Sequence, residues 1–521
     1  MNHRYDFIIV GGGTAGLALA SLISKNFHVL VFEQGENNSN DVPIKTPSYS
    51  GILSTNYLND YFCMTGHSSD NRRLAPLEGE TLGGGSSVNG LQVMEGISPV
   101  YDEWAAIAND NSWDAEHAKR IFKKYQTFAG VPGYYTPTAH GYKGPVNVRQ
   151  TAENVPLATL FANSVSAVTN TPNNIDPNDF SGRFGSSPYY QLTERPDKTR
   201  ESSWTAYFEN MPMVKPGKYF KTTKRGSVTV YTSARLIEIL WSNCKEATVV
   251  GVNISRDGKC KKFSANNKVI LSTGFLSPSI LMQNGIGNAE YLSSIGVNVK
   301  VDSPRVGDQL YNHDIVSLAG AAGSPNPLPP APPGSDEQGL YSGLAVLDYN
   351  NLGTREFQLI GVSGGPSLFI AAALLLQQTA SGKIKLNYAS PDRVADVLLN
   401  SLTGPEDKGK ALYIYKVMYQ SLVKMGLTPL GPPVNDDDAI WKYVLTTYAI
   451  AYHFTAMCKM GTNISNGVVD NNCNVFGVNG LAVCDVSIMP LPAAGNTMST
   501  AYFVAYVLAK KLNKQYKKCT A

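Results

Sequence analysis

The 521-residue sequence lacks paired cysteines. Its seven, Cys63, Cys244, Cys260, Cys458, Cys473, Cys484 and Cys519, are scattered without C-x-x-C spacing, which suggests neither a complete disulfide framework nor a zinc site. No metal-ligating pattern is read elsewhere. Charge of one sign is equally scarce. The 44 Lys and Arg against 41 Asp and Glu leave a net +3, with no bulk reason to bind nucleic acid. Long hydrophobic runs are also missing. The most apolar stretch, Leu368 to Leu376, falls far short of the roughly 20 residues a membrane helix requires and reads as core. A strand-like run begins at Phe7 and leaves no room ahead of it for a charged and apolar leader, so no secretory signal is expected. The compartment stays open. Tandem repeats are not apparent, and the one low-complexity piece, Ser324 to Gly334 (SPNPLPPAPPG), reads as an exposed loop because its prolines impose extended geometry. The length suffices for two or three domains with substantial cores.

What is present is concentrated in FIIVGGGTAGLALASLISKNFHVLVFEQG, residues 7 to 35. Phe7 to Val10 is a short β-branched and aromatic run that reads as a buried strand, and Leu17 to Ile23 has helical spacing. Gly11, Gly13 and Gly16, with Thr14 and Ala15 between them, therefore occupy a strand-to-helix turn in the pattern G-x-G-x-x-G. One glycine serves the tight turn, one the close approach of a pyrophosphate, and one the packing of helix on strand. Phosphates at such a turn meet the free N–H groups and the dipole of the helix N-terminus. Val29 to Phe32 reads as the second strand, and Glu33 at its end can accept hydrogen bonds from ribose hydroxyls. The motif alone does not separate FAD from NAD. Farther along, VTVYTSARLIEIL, ATVVGVNI and KVILSTG, between Val228 and Gly274, read as further strands, so the cofactor domain is assembled from separated segments.

Four more stretches supply a resemblance. LGGGSSVNG (Leu82 to Gly90) is similar to a flavin-side loop L-G-G-S-S-x-x-N, with Gly85 where a serine is usual. STGFLSPSILMQNGIG (Ser272 to Gly287) is similar to a second signature, one residue short and with Asn284 for a serine. VGDQLYNHD (Val306 to Asp314) resembles V-G-x-N-L-x-D-H, with Gln309 and Asn312 as exchanges. YHFTAMCKMG (Tyr452 to Gly461), followed by GLAVCDVSIMP and GNTMSTAYFVAYVLAKKL, resembles the C-terminal catalytic segment. Together with the first turn they make the chain similar to the glucose–methanol–choline (GMC) family of FAD-dependent oxidoreductases from residue 7 to about 512.

The resemblance implies an α/β fold: a Rossmann-like FAD-binding domain with a parallel sheet (1–145, 220–310 and 460–521) and a substrate domain on a mostly antiparallel sheet (146–219 and 311–459). It implies that His453 is the base that takes a hydroxyl proton and that Asn496 orients the substrate oxygen, with His313 structural. Gly84, Asn89, Gly90, Thr273, Gly274 and Asp485 would line the cofactor, and Leu236 would offer a backbone contact to adenine. Val88 stands where some members tether FAD through a histidine, so non-covalent FAD is expected. Glu95 replaces an arginine common in the family. The implied reaction is oxidation of an alcohol, with dioxygen or another electron acceptor, and a homodimer is open. Two further readings stay open: a hydroxynitrile lyase on the same scaffold, and a structural protein of the kind GMC-like chains form in giant-virus virions.

Overall fold

The computed structural model describes residues 5–46, 57–60, 62–64, 74, 76–151, 155–242, 246–323, 328–329, 341–349, 353–386 and 395–517. Most of the proline-rich loop at 324–334 lies outside these residues.

The apolar run at the N-terminus forms the strand Tyr5–Val10, and Phe7, Ile8 and Ile9 are fully buried. A strand buried on both faces has no need of polar alternation, which is why this one reads as a continuous apolar run. It pairs in parallel with His28–Phe32 on one side (Ile8 with Leu30) and with the long strand Lys259–Leu271 on the other (Ile8 with Val269). Ser227–Tyr231 and Leu481–Val483 extend this parallel centre. Antiparallel strands flank it, Met213–Lys215 and Lys218–Thr222 at one edge and Val249–Arg256 and Arg235–Trp241 at the other, completing a nine-stranded sheet. The helices Thr14–Ile23 and Thr497–Tyr516 contribute Leu17, Leu19, Tyr502, Phe503 and Val504 to the same core.

A second, seven-stranded sheet is antiparallel throughout and includes Asp314–Ala322, Leu344–Leu347, Phe357–Ser363 and Leu368–Leu375. The run Leu368 to Leu376, expected to be core, is largely its central strand. Side chains alternate across a strand with period two. Val316, Leu318, Leu359, Phe369, Ala371 and Ala373 therefore pack under the helices Val155–Thr169, Asp407–Lys424 and Asp437–Thr447. Ile315, Ile360 and Leu374 face the opposite way, toward the glycine-rich loops. The α/β class with a parallel cofactor sheet and an antiparallel second sheet is thus observed, with antiparallel strands added at both edges of the first sheet.

No helix among the described residues is long and apolar enough to cross a membrane. Nor do the described residues hold a His, Cys, Asp and Glu cluster placed to bind a metal ion.

Candidate active site

A cavity of about 560 Å³ runs between the two sheets. At one end lies the first turn. Gly11 has φ +104, and a Cβ there would stand 2.2 Å from the Ser272 carbonyl oxygen. A Cβ on Gly16 would stand 2.2 Å from the Gly11 oxygen. Both glycines are required by close approach, but Gly16 packs helix against strand and does not line the cavity, whereas Gly11, Gly13, Thr14 and Ala15 do. The Glu33 carboxylate accepts from Gly12 N at 2.7 Å and Gly35 N at 2.9 Å. It braces the turn while still facing the cavity, with lone pairs to spare for a ligand hydroxyl.

The loop Leu82–Gly90 lies against this turn, with Gly83 N donating to Gly12 O at 2.8 Å. Asn89 is held by the buried Arg200, whose Nη1 donates to Asn89 O at 2.7 Å and to Oδ1 at 2.9 Å. Sequence reasoning missed Arg200, since nothing in its local pattern points 111 residues back. Leu236, Thr273 and Gly274 line the cavity beside Asp485, which accepts from Gly274 N at 3.0 Å, Ser277 Oγ at 2.7 Å and Ser487 N at 2.9 Å. The Asn284 exchange has a clear use: its Oδ1 accepts from Ile239 N at 2.8 Å and its Nδ2 donates to Ile280 O at 2.8 Å. Glu95 is buried away from the cavity lining, where it accepts from Tyr125 and Gln126. Burial raises its carboxyl well above the usual range, favouring the neutral form, so the charge reversal is muted.

At the other end, His453 follows the edge strand Ala449–Ile450 and its N–H donates to Asn312 Oδ1 at 2.9 Å. Its Nε2 is 3.4 Å from Asn496 Nδ2, and its Nδ1 is 2.8 Å from Nδ1 of His313. His453 and Asn496 are therefore together, as expected, and His313 joins them. In the tautomer with its proton on Nδ1, His453 donates to His313 and presents Nε2 as an acceptor toward the Asn496 amide nitrogen. His453 keeps some surface open to the cavity but sits deep in the protein, and that burial lowers its pKa to about 4. His313 is also held well below the usual imidazole range, by burial and then by His453. Asn496 Oδ1 is buried without a partner among the described residues, so a hydrogen-bond donor is missing at this point.

The cavity fits a dinucleotide with a flat ring system. At Gly13 and Gly274 an added Cβ would meet nothing closer than 3.9 Å. These backbones thus face open space that a side chain would fill, as close backbone approach to a ligand requires. A glycine turn, a helix N-terminus, the Glu33 carboxylate and the pair of His453 and Asn496 thus line one cavity on a two-sheet scaffold.

The family model of GMC oxidoreductases matches residues 5–315 (N-terminal part) and 378–505 (C-terminal part). The chain belongs to the GMC oxidoreductase family, and FAD is the cofactor this cavity serves. It is 27% identical to oxygen-dependent choline dehydrogenase of Staphylococcus xylosus over 97% of this chain and 94% of that protein. Among solved structures it resembles formate oxidase (TM-score 0.84, 22% identity, 99% of both chains). It also resembles an FAD-dependent oxidoreductase from Chaetomium thermophilum (TM-score 0.84, 20% identity, 99% and 100%).

Several buried carboxyls have an effect that can be measured on the cofactor-free chain. Glu33 is raised to about 7 and Glu78 to about 8, both mainly by burial. The folded state thus holds protons that the unfolded chain, with ordinary carboxyls, has released. The stability from these groups is complete below the unfolded pKa and is lost as pH rises through 7 and 8. The buried histidines act in the opposite direction only below their unfolded pKa near 6.5. The cofactor-free protein is therefore expected to melt at lower temperature at pH 9 than at pH 7 in differential scanning calorimetry. A flat melting temperature over that window would show that these carboxyls ionise freely in the fold.

Proposed function

We propose that this protein oxidises an alcohol at its CH–OH carbon to the carbonyl, with His453 as the base and Asn496 as the orienting group. The observation that carries the reading is the convergence of the His453 Nε2 and the Asn496 amide at one end of the cavity. The substrate hydroxyl gives its proton to Nε2 while the Asn496 side chain hydrogen-bonds the substrate oxygen and fixes its direction. FAD, when bound, supplies the acceptor for the hydride leaving the carbon, and dioxygen or another acceptor takes the electrons onward. His313 supports the proton transfer, because the His453 cation formed on proton uptake keeps its Nδ1–H donated to a neutral imidazole. The 27% identity to choline dehydrogenase supports a CH–OH donor without choosing one.

The test is anaerobic mixing of the yellow holoenzyme with a panel of alcohols, followed at the flavin absorbance. Bleaching by at least one alcohol is expected. No bleaching by any would sink the reading. The pH dependence has a fixed sign. His453 must be neutral to accept a proton, so its ionisation should leave the rate level between pH 6 and 8 and reduce it as pH falls through about 4.

FAD is held non-covalently in this reading, because Val88, which lines the cavity from the short helix Gly85–Val88, offers no nucleophile. Acid precipitation is expected to release all yellow colour into the supernatant. Colour retained in the pellet would show a covalent link.

A further inference from the structure

We infer that the alcohol this site accepts is uncharged and apolar beyond its hydroxyl, of alkyl or benzylic type, and that a quaternary ammonium alcohol is a poor ligand. This rests on the proposed alcohol-oxidising reading and adds the substrate class.

The wall that continues from His453 is built by the second sheet. Ile315 stands two residues after His313, and its neighbour across the strand pair is Leu374. Ile360, Val362, Ile450 and Tyr341 complete this lining. Five of the six are aliphatic. Two polar groups at this wall are engaged with each other or with the backbone. Tyr341 OH donates to Gly90 O at 3.0 Å, and Gln358 Nε2 donates to Gln92 Oε1 at 2.6 Å. Such a surface gains from every methylene placed on it and returns nothing to a charge.

The cavity does have carboxylates, but they lie at its other end. Among the described residues they are Glu33, Glu78, Glu80 and Asp485. Glu33 and Asp485 are committed to the backbone of the first turn and of Gly274, and Glu78 lies between these two, within electrostatic reach of both. Glu80 raises the pKa of Glu33 and so belongs to the same end. A cation beside His453 would therefore be stripped of water without a counter-ion to offset the lost hydration. Aromatic faces do not replace one here. The Tyr341 ring is packed on Tyr190 with centroids 4.8 Å apart, Phe454 is stacked on Phe275 at 4.4 Å, and Tyr452 meets Phe454 edge-to-face at 6.5 Å. A cage for a quaternary ammonium uses several faces at once.

The deciding experiment compares choline with 3,3-dimethylbutanol, its neutral isostere with carbon in place of nitrogen. Dissociation constants are measured on the FAD-loaded protein, anaerobically, by titration calorimetry, so that binding is read whether or not turnover follows. The neutral alcohol is expected to bind at least about tenfold tighter, and straight-chain alcohols are expected to tighten by about fourfold per added CH₂ until the cavity is filled. Val362→Ala, in a fold checked by flavin content and melting temperature, should weaken the neutral alcohol by up to about tenfold and leave choline unchanged. Ile315→Ala provides the same test from the strand Asp314–Ala322. Choline binding as tightly as its isostere, or neither compound binding, overturns the inference. Tight binding of the neutral alcohol without bleaching of the flavin upholds the apolar site and instead overturns the oxidation reading.

Discussion

Substitution of His453 by alanine is expected to slow anaerobic bleaching of the holoenzyme by an alcohol roughly 10²- to 10⁴-fold, the range for removal of a general base. The yellow colour and the fold should survive, because the ring's contacts are local: His313 Nδ1 at 2.8 Å and Asn496 Nδ2 at 3.4 Å. Asn496→Ala should slow the reaction less, since it removes an orienting bond and leaves the proton acceptor in place. His313→Ala should fall between them and move the pH profile, because the His453 cation loses its hydrogen-bond partner. A merely structural His313 would change stability without moving the profile. If the His453→Ala protein bleaches at the parent rate, the base lies elsewhere.

Gly11→Ala should abolish FAD retention, leaving colourless protein after purification. The added Cβ would stand 2.2 Å from the Ser272 carbonyl oxygen, at a φ of +104 that side chains rarely adopt. The backbone must therefore move at a turn that lines the cavity. Strained conformations of this kind cost about 1–3 kcal/mol before any overlap is counted, so a loss in affinity of at least roughly 10²-fold is expected. Gly85→Ser is the matched control from the other glycine loop. A Cβ at Gly85 meets nothing within 4 Å, so retention should stay within about threefold of the parent. Equal retention by Gly11→Ala and the parent, measured as flavin per protein, would show that the turn adapts and that the clash is relieved elsewhere.

The departures from the family pattern show how far local sequence carries. Glu95 in place of arginine reads as a reversed charge near the flavin loop, yet its side chain points into a buried network with Tyr125 and Gln126. Asn284 reads as a defect in the second signature, yet it joins a strand to a helix through two hydrogen bonds. In both cases the residue type was plain and its direction was not, because the direction is set by segments far away in the chain.

By itself the sequence determined the first strand, the glycine turn, the helix after it and the acid at the end of the second strand. These depend on backbone conformation and on alternation or helical spacing within about thirty residues, and such signals are local. It also picked out His453 and Asn496 through the segments around them. Only the tertiary structure decided that His313, 140 residues before His453, lies 2.8 Å from it, that Arg200 holds Asn89, and that the cavity wall beyond His453 is mostly aliphatic. Strand register is the physical reason. Pairing Ile315 with Leu374 and Asp314 with Ile450 turns one set of side chains to the cavity and the other to the core, and a shift of one residue would exchange them.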